Sequence, residues 1–297
     1  MLSDELILCT RNRPNELKAC LESVRGCSRT PAAIHVVDAS DNTDTRRVVS
    51  GVNSNGRLTV RYSHTPAGLT KQRNFGTDAS TADIIHFLDD DTTVEPAYFA
   101  AIMDLFEGDA GSEIGGVGGR ITNLPTSRPS RLARFFMMDG PEGHILPSGR
   151  NVLVFTGDGP RRVQWLSGCS MSYRREIIRR HRFDERMSLI GEDVDISTRV
   201  GQDAELWIHA DARMAHWESP IGRQSMNGRI RTELVSRHYR VRSGIGGQSI
   251  IAFWWSCLGM ILLYSRRIVI RDPRQPVRSL AAIFQGIGEI LLTRRAR

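Results

Sequence analysis

The chain has 297 residues, 40% of them hydrophobic and 25% charged, which is enough apolar content to close a full core and excludes a disordered chain. Its net charge of +7 is unevenly placed: residues 220–297 hold 14 arginines against Glu233, Asp272 and Glu289, so the preceding part is acidic on balance. Five cysteines, odd in number and without a CxxC spacing, exclude a disulfide framework and fit a reducing cytoplasm, and the apolar run Leu6 to Cys9 is too short for the core of a secretory signal.

Leu6 to Cys9 reads as a strand, followed by the polar turn TRNRPN and a helical stripe through Leu17, Cys20, Leu21 and Val24. Ala33 to Val37 is a second apolar run ending in Asp38, and Leu58 to Tyr62 alternates as an edge-like strand. Thr70 to Ala79 reads as a helix, and Asp83 to Leu88 as a buried strand running directly into Asp89, Asp90 and Asp91. Strands alternating with helices predict an α/β fold with a mostly parallel sheet flanked by helices. Ligands of such sheets sit beyond the carboxyl ends of the strands, where Thr10 to Arg13, Asp38 and the Asp triplet all fall. Residues 107–130 read as a Gly-, Ser- and Pro-rich connection around a short strand, Gly116 to Ile121, and residues 139–162 as a second irregular excursion. Val163 to Tyr173 is strand-like and leads into the helix RREIIRRH; GEDVDISTRVG then opens a helix with Glu192 and Asp193 in its first turn. A short strand around Leu206 to His209 precedes AHWESP.

The C-terminal region, residues 243–297, changes character relative to 1–242. Ile250 to Tyr264 carries no charge and is bounded by Arg266 and Arg267, about one turn short of the roughly 20 residues of a span. After RDPRQP, Leu280, Ile283, Phe284, Ile287, Ile290 and Leu291 share one face of an amphipathic helix. Two readings stand together: helices lying on an anionic membrane surface, or helices that pack on the preceding domain or form a homodimer. Phe253, Trp254 and Trp255 sit inside the apolar run and are not interleaved with basic residues, which argues against a nucleic-acid partner.

Three carboxylates directly after an apolar strand crowd like charge at a rim, and a divalent cation, Mn2+ or Mg2+, relieves that crowding. First and third positions, Asp89 and Asp91, reach one ion, and His216 is a third ligand candidate. The plainer reading is an acidic turn and a structural histidine. Asp193 sits where a helix dipole keeps a carboxylate ionised and able to accept a proton, though Glu192 and Asp193 also serve as ordinary helix-start charges. Arg73 and Asn74 open a helix after a loop, where diphosphate binding and a solvated face are both open.

LILCTRNRP, VVDAS, LTKQRNFG, FLDDD, WLSGCSMSYRR and GEDVDIS together, over residues 4–242, resemble the family 2 glycosyltransferases of the GT-A nucleotide-diphospho-sugar transferase fold. The resemblance implies that Thr10, Arg11 and Arg13 line the nucleotide pocket, that Asp38 bonds the base, that Arg73 reaches base or diphosphate, and that Asp90 lies near the ribose. It makes Asp89, Asp91 and His216 the metal ligands and Asp193 the catalytic base of an inverting transfer. Gly168 and Glu192 would border donor sugar or acceptor, and Trp165 either stacks on a sugar or joins the core. The QxxRW motif of processive synthases is absent, so one sugar is expected to pass from a UDP- or dTDP-linked donor to a glycan or lipid-linked acceptor in cell-surface polysaccharide assembly. The expected location is the cytoplasmic face of the cell membrane. Rival expectations are a sugar nucleotidyltransferase, whose glycine-rich N-terminal loop TRNRPN lacks, and a non-catalytic sugar-nucleotide-binding scaffold.

Overall fold

In a computed structural model of the chain, the described residues are 1–54, 58–109, 111, 113–124, 130–154, 156–187, 190–222, 224–270 and 274–295. For 266–270, 274–275 and 293–295 only the helical backbone is described; the side chains of Arg266 and Arg267 and the junction Arg271–Pro273 lie outside. The chain packs into two compact units, one of residues 1–126 and 154–222, the other of 127–153 and 223–297. The division therefore falls well ahead of the expected 242, and an internal segment joins the C-terminal helices.

In the first unit, β1 (Asp4–Thr10), β2 (Ala33–Asp38), β3 (Val60–His64) and β4 (Ile84–Asp89) pair in parallel in the order β3-β2-β1-β4. Successive residues alternate between two cores. Leu6, Leu8, Ile84 and Leu88 face one, with Leu17 and Leu21 of α1 (Pro14–Arg25) and Phe99 and Ile102 of α4 (Tyr98–Gly108). Ile7, Ile85 and Phe87 face the other, with Ile178 of α6 (Arg175–His181) and Ile196 of α7 (Glu192–Val200). A strand covered on both sides has little need of a polar face, which is why β1, β2 and β4 read as largely apolar runs, broken only by the buried His35 and His86. The helices α2 (Asp44–Ser54) and α3 (Leu69–Ala79) complete the parallel half.

Beyond β4 the sheet becomes mixed. β8 (Ser170–Arg174) runs antiparallel to β4, then β6 (Ile114–Ile121) lies between β8 and β9 (Glu205–His216), while β5 (Thr92–Val94) and β7 (Pro160–Val163) both pair with β9. The stretch Gly116 to Ile121, expected as a short strand in a connection, is thus part of an eight-residue central strand, IGGVGGRI. Its glycines are there for room. A Cβ on Gly116 would lie 2.8 Å from Leu206 and the Tyr173 ring, and one on Gly119 would overlap the Ala212 carbonyl oxygen and Tyr98. β9 is likewise longer than expected and ends on His216, so it delivers that residue to the rim where β4 ends.

The second unit contains α5 (Arg131–Phe135), and its α8 (Met226–Val241), α9 (Ile250–Ile270) and α10 (Arg274–Arg295) enclose Leu234, Val241, Phe253, Cys257, Met260, Ile283 and Ile290. Within the unit Ile245–Ser265, 21 residues of mean hydropathy 1.5, is long and apolar enough to cross a membrane by length and composition, with 39% of it buried. The stripe expected on α10 divides: Ile283 and Ile290 enter the core, whereas Phe284 and Leu291 are exposed beside Val277 and Leu292. On α9, Ile251, Trp255, Leu258 and Leu262 are also exposed. Trp255 packs edge-on to Phe135 and donates Nε1–H to its carbonyl at 2.8 Å.

Two glycine substitutions are expected to act in opposite directions. Gly119→Ala should destabilise by about 1–3 kcal/mol through overpacking. Gly51→Ala, in α2 with nothing near its added methyl, should stabilise by up to about 1 kcal/mol. Urea unfolding of both variants checks the pair; equal effects would show that β6 has room to spare.

Candidate functional site

The strand ends of the first unit deliver polar groups to one rim. At the end of β4, Asp89 remains partly exposed, whereas Asp90 and Asp91 turn inward and are buried. Asp90 accepts hydrogen bonds from Thr10 Oγ1 at 2.6 Å and Arg13 Nη1 at 2.9 Å. Burial pushes its carboxyl up, against Arg13 and Thr10, to about 7. Arg13, the residue before α1, also donates to the Ile221 carbonyl and lies 3.5 Å from Asp91.

Asp91 is held from several directions. Its Oδ2 accepts the Ser219 amide at 2.8 Å, its carbonyl accepts the Trp217 amide, and its Oδ1 lies 2.9 Å from His216 Nε2. Burial alone would raise the Asp91 carboxyl, but the imidazolium beside it holds it well below the usual carboxylate range. The same contact, with Cys169 facing the ring, pushes the His216 imidazole up to about 11 despite its burial. Asn123 fixes the His216 backbone through two reciprocal 2.9 Å bonds. Asp89, Asp91 and His216 place ligand atoms within 4.8 Å of one another. Two hard carboxylate oxygens and one imidazole nitrogen form a donor set suited to a divalent cation such as Mn2+.

Arg73 in α3 is almost wholly buried and spans three segments. Nη1 donates to Glu192 Oε1 at 3.0 Å; Nη2 donates to the Gly168 carbonyl at 2.9 Å and to Asp89 Oδ1 at 3.2 Å. Its plane lies over Phe183, 5.3 Å from the ring centre. Reaching a base or diphosphate would require breaking these bonds, and in this arrangement Arg73 lies beneath the rim. Glu192 is correspondingly buried as the partner of Arg73 and does not border the open rim. Burial and the adjacent Asp193 push its carboxyl up while Arg73 pulls it down.

Gly168 joins the two halves of the rim. Its carbonyl faces Arg73, its N–H donates to Asp193 Oδ2 at 3.0 Å, and a Cβ would sit 3.3 Å from Glu192 and 3.4 Å from both Arg73 and Asp193. Asp193 is half-buried in the first turn of α7, its Oδ1 on the Val194 amide at 2.8 Å. Gly191 before it adopts a left-handed φ of 88°, which favours glycine.

At the ends of β1 and β2, Asp38 is buried, with Oδ1 on Ser40 N–H and Oγ and Oδ2 on the Tyr62 hydroxyl at 2.8 Å. Arg11 stays exposed, 3.4 Å from Asp41. Trp165 is 4% exposed and lies in the core, the second of its two expected uses. Several supporting residues escaped the sequence reading. Gln72 ties the ends of β1 and β2 through the Thr10 and Val37 carbonyls, and Ser219 bridges Asp91 to Glu16. No spacing signals a side chain that acts on a backbone atom 35 or more residues away.

Residues 5–181 match the family described as Glycosyl transferase family 2. No curated protein matches the sequence. Among solved structures, the fold is similar to the mannosyltransferase PcManGT from Pyrobaculum calidifontis in complex with GDP-Man and Mn2+, at 13% identity and a TM-score of 0.63, with 98% of this chain and 87% of that one covered. It is similar to S. aureus TarS 1–349 in complex with UDP at 13% identity and TM-score 0.55, covering 96% and 81%. Against the longer S. aureus TarS structure, at 13% identity and TM-score 0.55, 90% of this chain is covered but only 44% of TarS.

Arg73→Met is expected to destabilise the chain by about 3–5 kcal/mol, because Glu192 would be left buried without its partner. Denaturant unfolding reads this, and the double variant Arg73→Met/Glu192→Gln should recover part of the loss. No recovery would show that the two side chains are not coupled.

Proposed function

The chain belongs to the family 2 glycosyltransferases, and on that premise we propose that it transfers a single sugar, with inversion and with a divalent metal, from a nucleotide diphosphate sugar to an acceptor hydroxyl. The observation that carries this reading is the bonded path from Asp89 through Arg73 and Gly168 to Asp193, beside the Asp89, Asp91 and His216 donor set. Asp89, Asp91 and His216 would hold Mn2+ or Mg2+, which when bound neutralises diphosphate charge as the leaving group departs. The nucleotide lies against Thr10, Arg11, Arg13, Asp38 and Asp90. Arg11 is the exposed cation of that group, and Arg13 orders Asp90 and the 217–222 loop from below. UDP and dTDP are the donor nucleotides proposed, UDP being the ligand of the TarS complex.

Asp193 is the base. Its carboxylate, oriented by two backbone N–H groups, takes the acceptor hydroxyl proton as that oxygen bonds to the anomeric carbon. The anomeric carbon's bond to the diphosphate breaks on the opposite face, the electron pair leaves with the nucleotide diphosphate, and the product is inverted. Arg73 is a positioning residue. It fixes Asp89, the 168 peptide and the start of α7 in one arrangement, so metal ligand and base do not reorganise during transfer.

Purified chain with Mn2+ and a panel of UDP-, dTDP- and GDP-sugars should release nucleotide diphosphate from one donor when its acceptor is present. Chelation or Asp91→Ala should abolish release, and Asp193→Asn should lower kcat by about 10²–10⁴-fold while donor binding persists. Nucleotide binding without turnover on any donor and acceptor would favour the non-catalytic scaffold, and full activity in Asp193→Asn would remove Asp193 from the base role.

The acceptor we propose is a glycan or a lipid-linked glycan in cell-surface polysaccharide assembly, with the second unit resting on the cytoplasmic face of the membrane. The exposed rows on α9 and α10 offer apolar side chains, and the arginine excess of residues 220–297 suits an anionic leaflet. Leu258→Asp/Leu262→Asp should reduce co-sedimentation with phosphatidylserine vesicles without changing turnover on a soluble acceptor. Unchanged sedimentation, together with a dimer that the same variant dissociates in light scattering, would assign this face to a second copy of the chain.

A further inference from the structure

The end of β9 lies between two neighbours, and successive residues of a strand send their backbone groups to opposite sides. The odd positions face β5: the Arg213 carbonyl accepts the Glu95 amide at 2.9 Å, and the Trp217 amide donates to the Asp91 carbonyl at 2.8 Å. The even positions face β6, where the Met214 carbonyl accepts the Thr122 amide at 2.8 Å. β6 itself ends at Ile121, whose register partner is Met214, so the ladder stops one even position short of His216.

Asn123 fills that place with its side chain. Its Oδ1 accepts the His216 amide at 2.9 Å, and its Nδ2 donates to the His216 carbonyl at 2.9 Å. A primary amide carries acceptor and donor in one plane, so it does for His216 what the next peptide of β6 would have done. Asn123 is itself exposed, and both bonds go to the backbone of one residue.

That residue is the ligand of the donor set that arrives from another strand. Asp89 ends β4 and Asp91 follows it, whereas His216 ends β9 and the chain then turns at once. Glu218 has φ 36°, in the region that favours glycine, a conformation kept only where the surroundings hold it. Nε2 of His216 nonetheless lies 2.9 Å from Asp91 Oδ1, with ligand atoms of all three residues within 4.8 Å. Metal coordination tolerates departures of about 0.2 Å in ligand distance, so the ring has to be set from its backbone outward. With the His216 N–H and C=O both bonded, only its side-chain torsions remain to be fixed.

We infer that Asn123 is a positioning residue for the divalent-metal site: by holding the His216 peptide where β6 has ended, it sets the affinity for Mn2+. The inference rests on the reading of Asp89, Asp91 and His216 as metal ligands and on no other part of the proposed transfer.

Mn2+ is titrated into the full chain with UDP present, and into UDP alone as the baseline, with the free ion followed by electron paramagnetic resonance. Asn123→Ala, at an exposed position, should weaken Mn2+ by about 10-fold or more, as loss of a group that orients a metal ligand does. Thr122→Val removes a 3.1 Å bond to the Met214 carbonyl, two residues before His216, and should lower the melting temperature without changing Mn2+ affinity. In a His216→Ala background, where no imidazole remains to be placed, Asn123→Ala should add no further weakening. Equal weakening in Asn123→Ala and Thr122→Val, or a full additional loss in the His216→Ala background, would mean general loosening of this end of β9 and overturn the inference. Wild-type affinity in Asn123→Ala overturns it as well and leaves the metal ligands standing. A wild-type chain that takes up no Mn2+ beyond UDP alone would remove the metal reading and this inference together.

Discussion

The Arg73 guanidinium is buried and has to find its acceptors inside the protein, and the ones it finds come from three segments far apart in sequence. Asp89 ends a strand, Gly168 lies in a loop and Glu192 begins a helix. A buried cation with fewer acceptors would carry a desolvation penalty without return, so the three segments are held to one arrangement. The placement of Asp193 follows from it, because the peptide whose carbonyl binds Arg73 presents its N–H to Asp193. The rim is therefore one bonded piece, although its parts lie more than a hundred residues apart.

What the sequence made visible was whatever has a local cause. In the parallel half β1, β2 and β4 announce themselves because both faces are covered and their middles are largely apolar, whereas the edge strand β3 shows only as an alternation. The Asp triplet, the opening of α7 and His216 were visible as unusual charge next to predictable elements, and the chain brings Asp89, Asp91 and His216 together. The failures share a different cause. Gly115, Gly116, Gly118 and Gly119 have no side chain to report their role, since this part of the strand is defined by what its neighbours, Tyr98, Tyr173 and Leu206 among them, leave no space for. Trp165, Glu192 and Arg73 have side chains that suit a ligand as well as an interior, and only burial separates the two uses.

The two units interleave along the chain, since the segment 127–153 is made early but packs with helices made last. During synthesis the first unit can close only after a loop has been set aside, and that loop carries Phe136 and Leu146 uncovered until α8, α9 and α10 emerge. Such an arrangement couples the two units in inheritance as well as in folding: a recombination event at the end of the catalytic domain cannot exchange the second unit, because part of it would stay behind in the first.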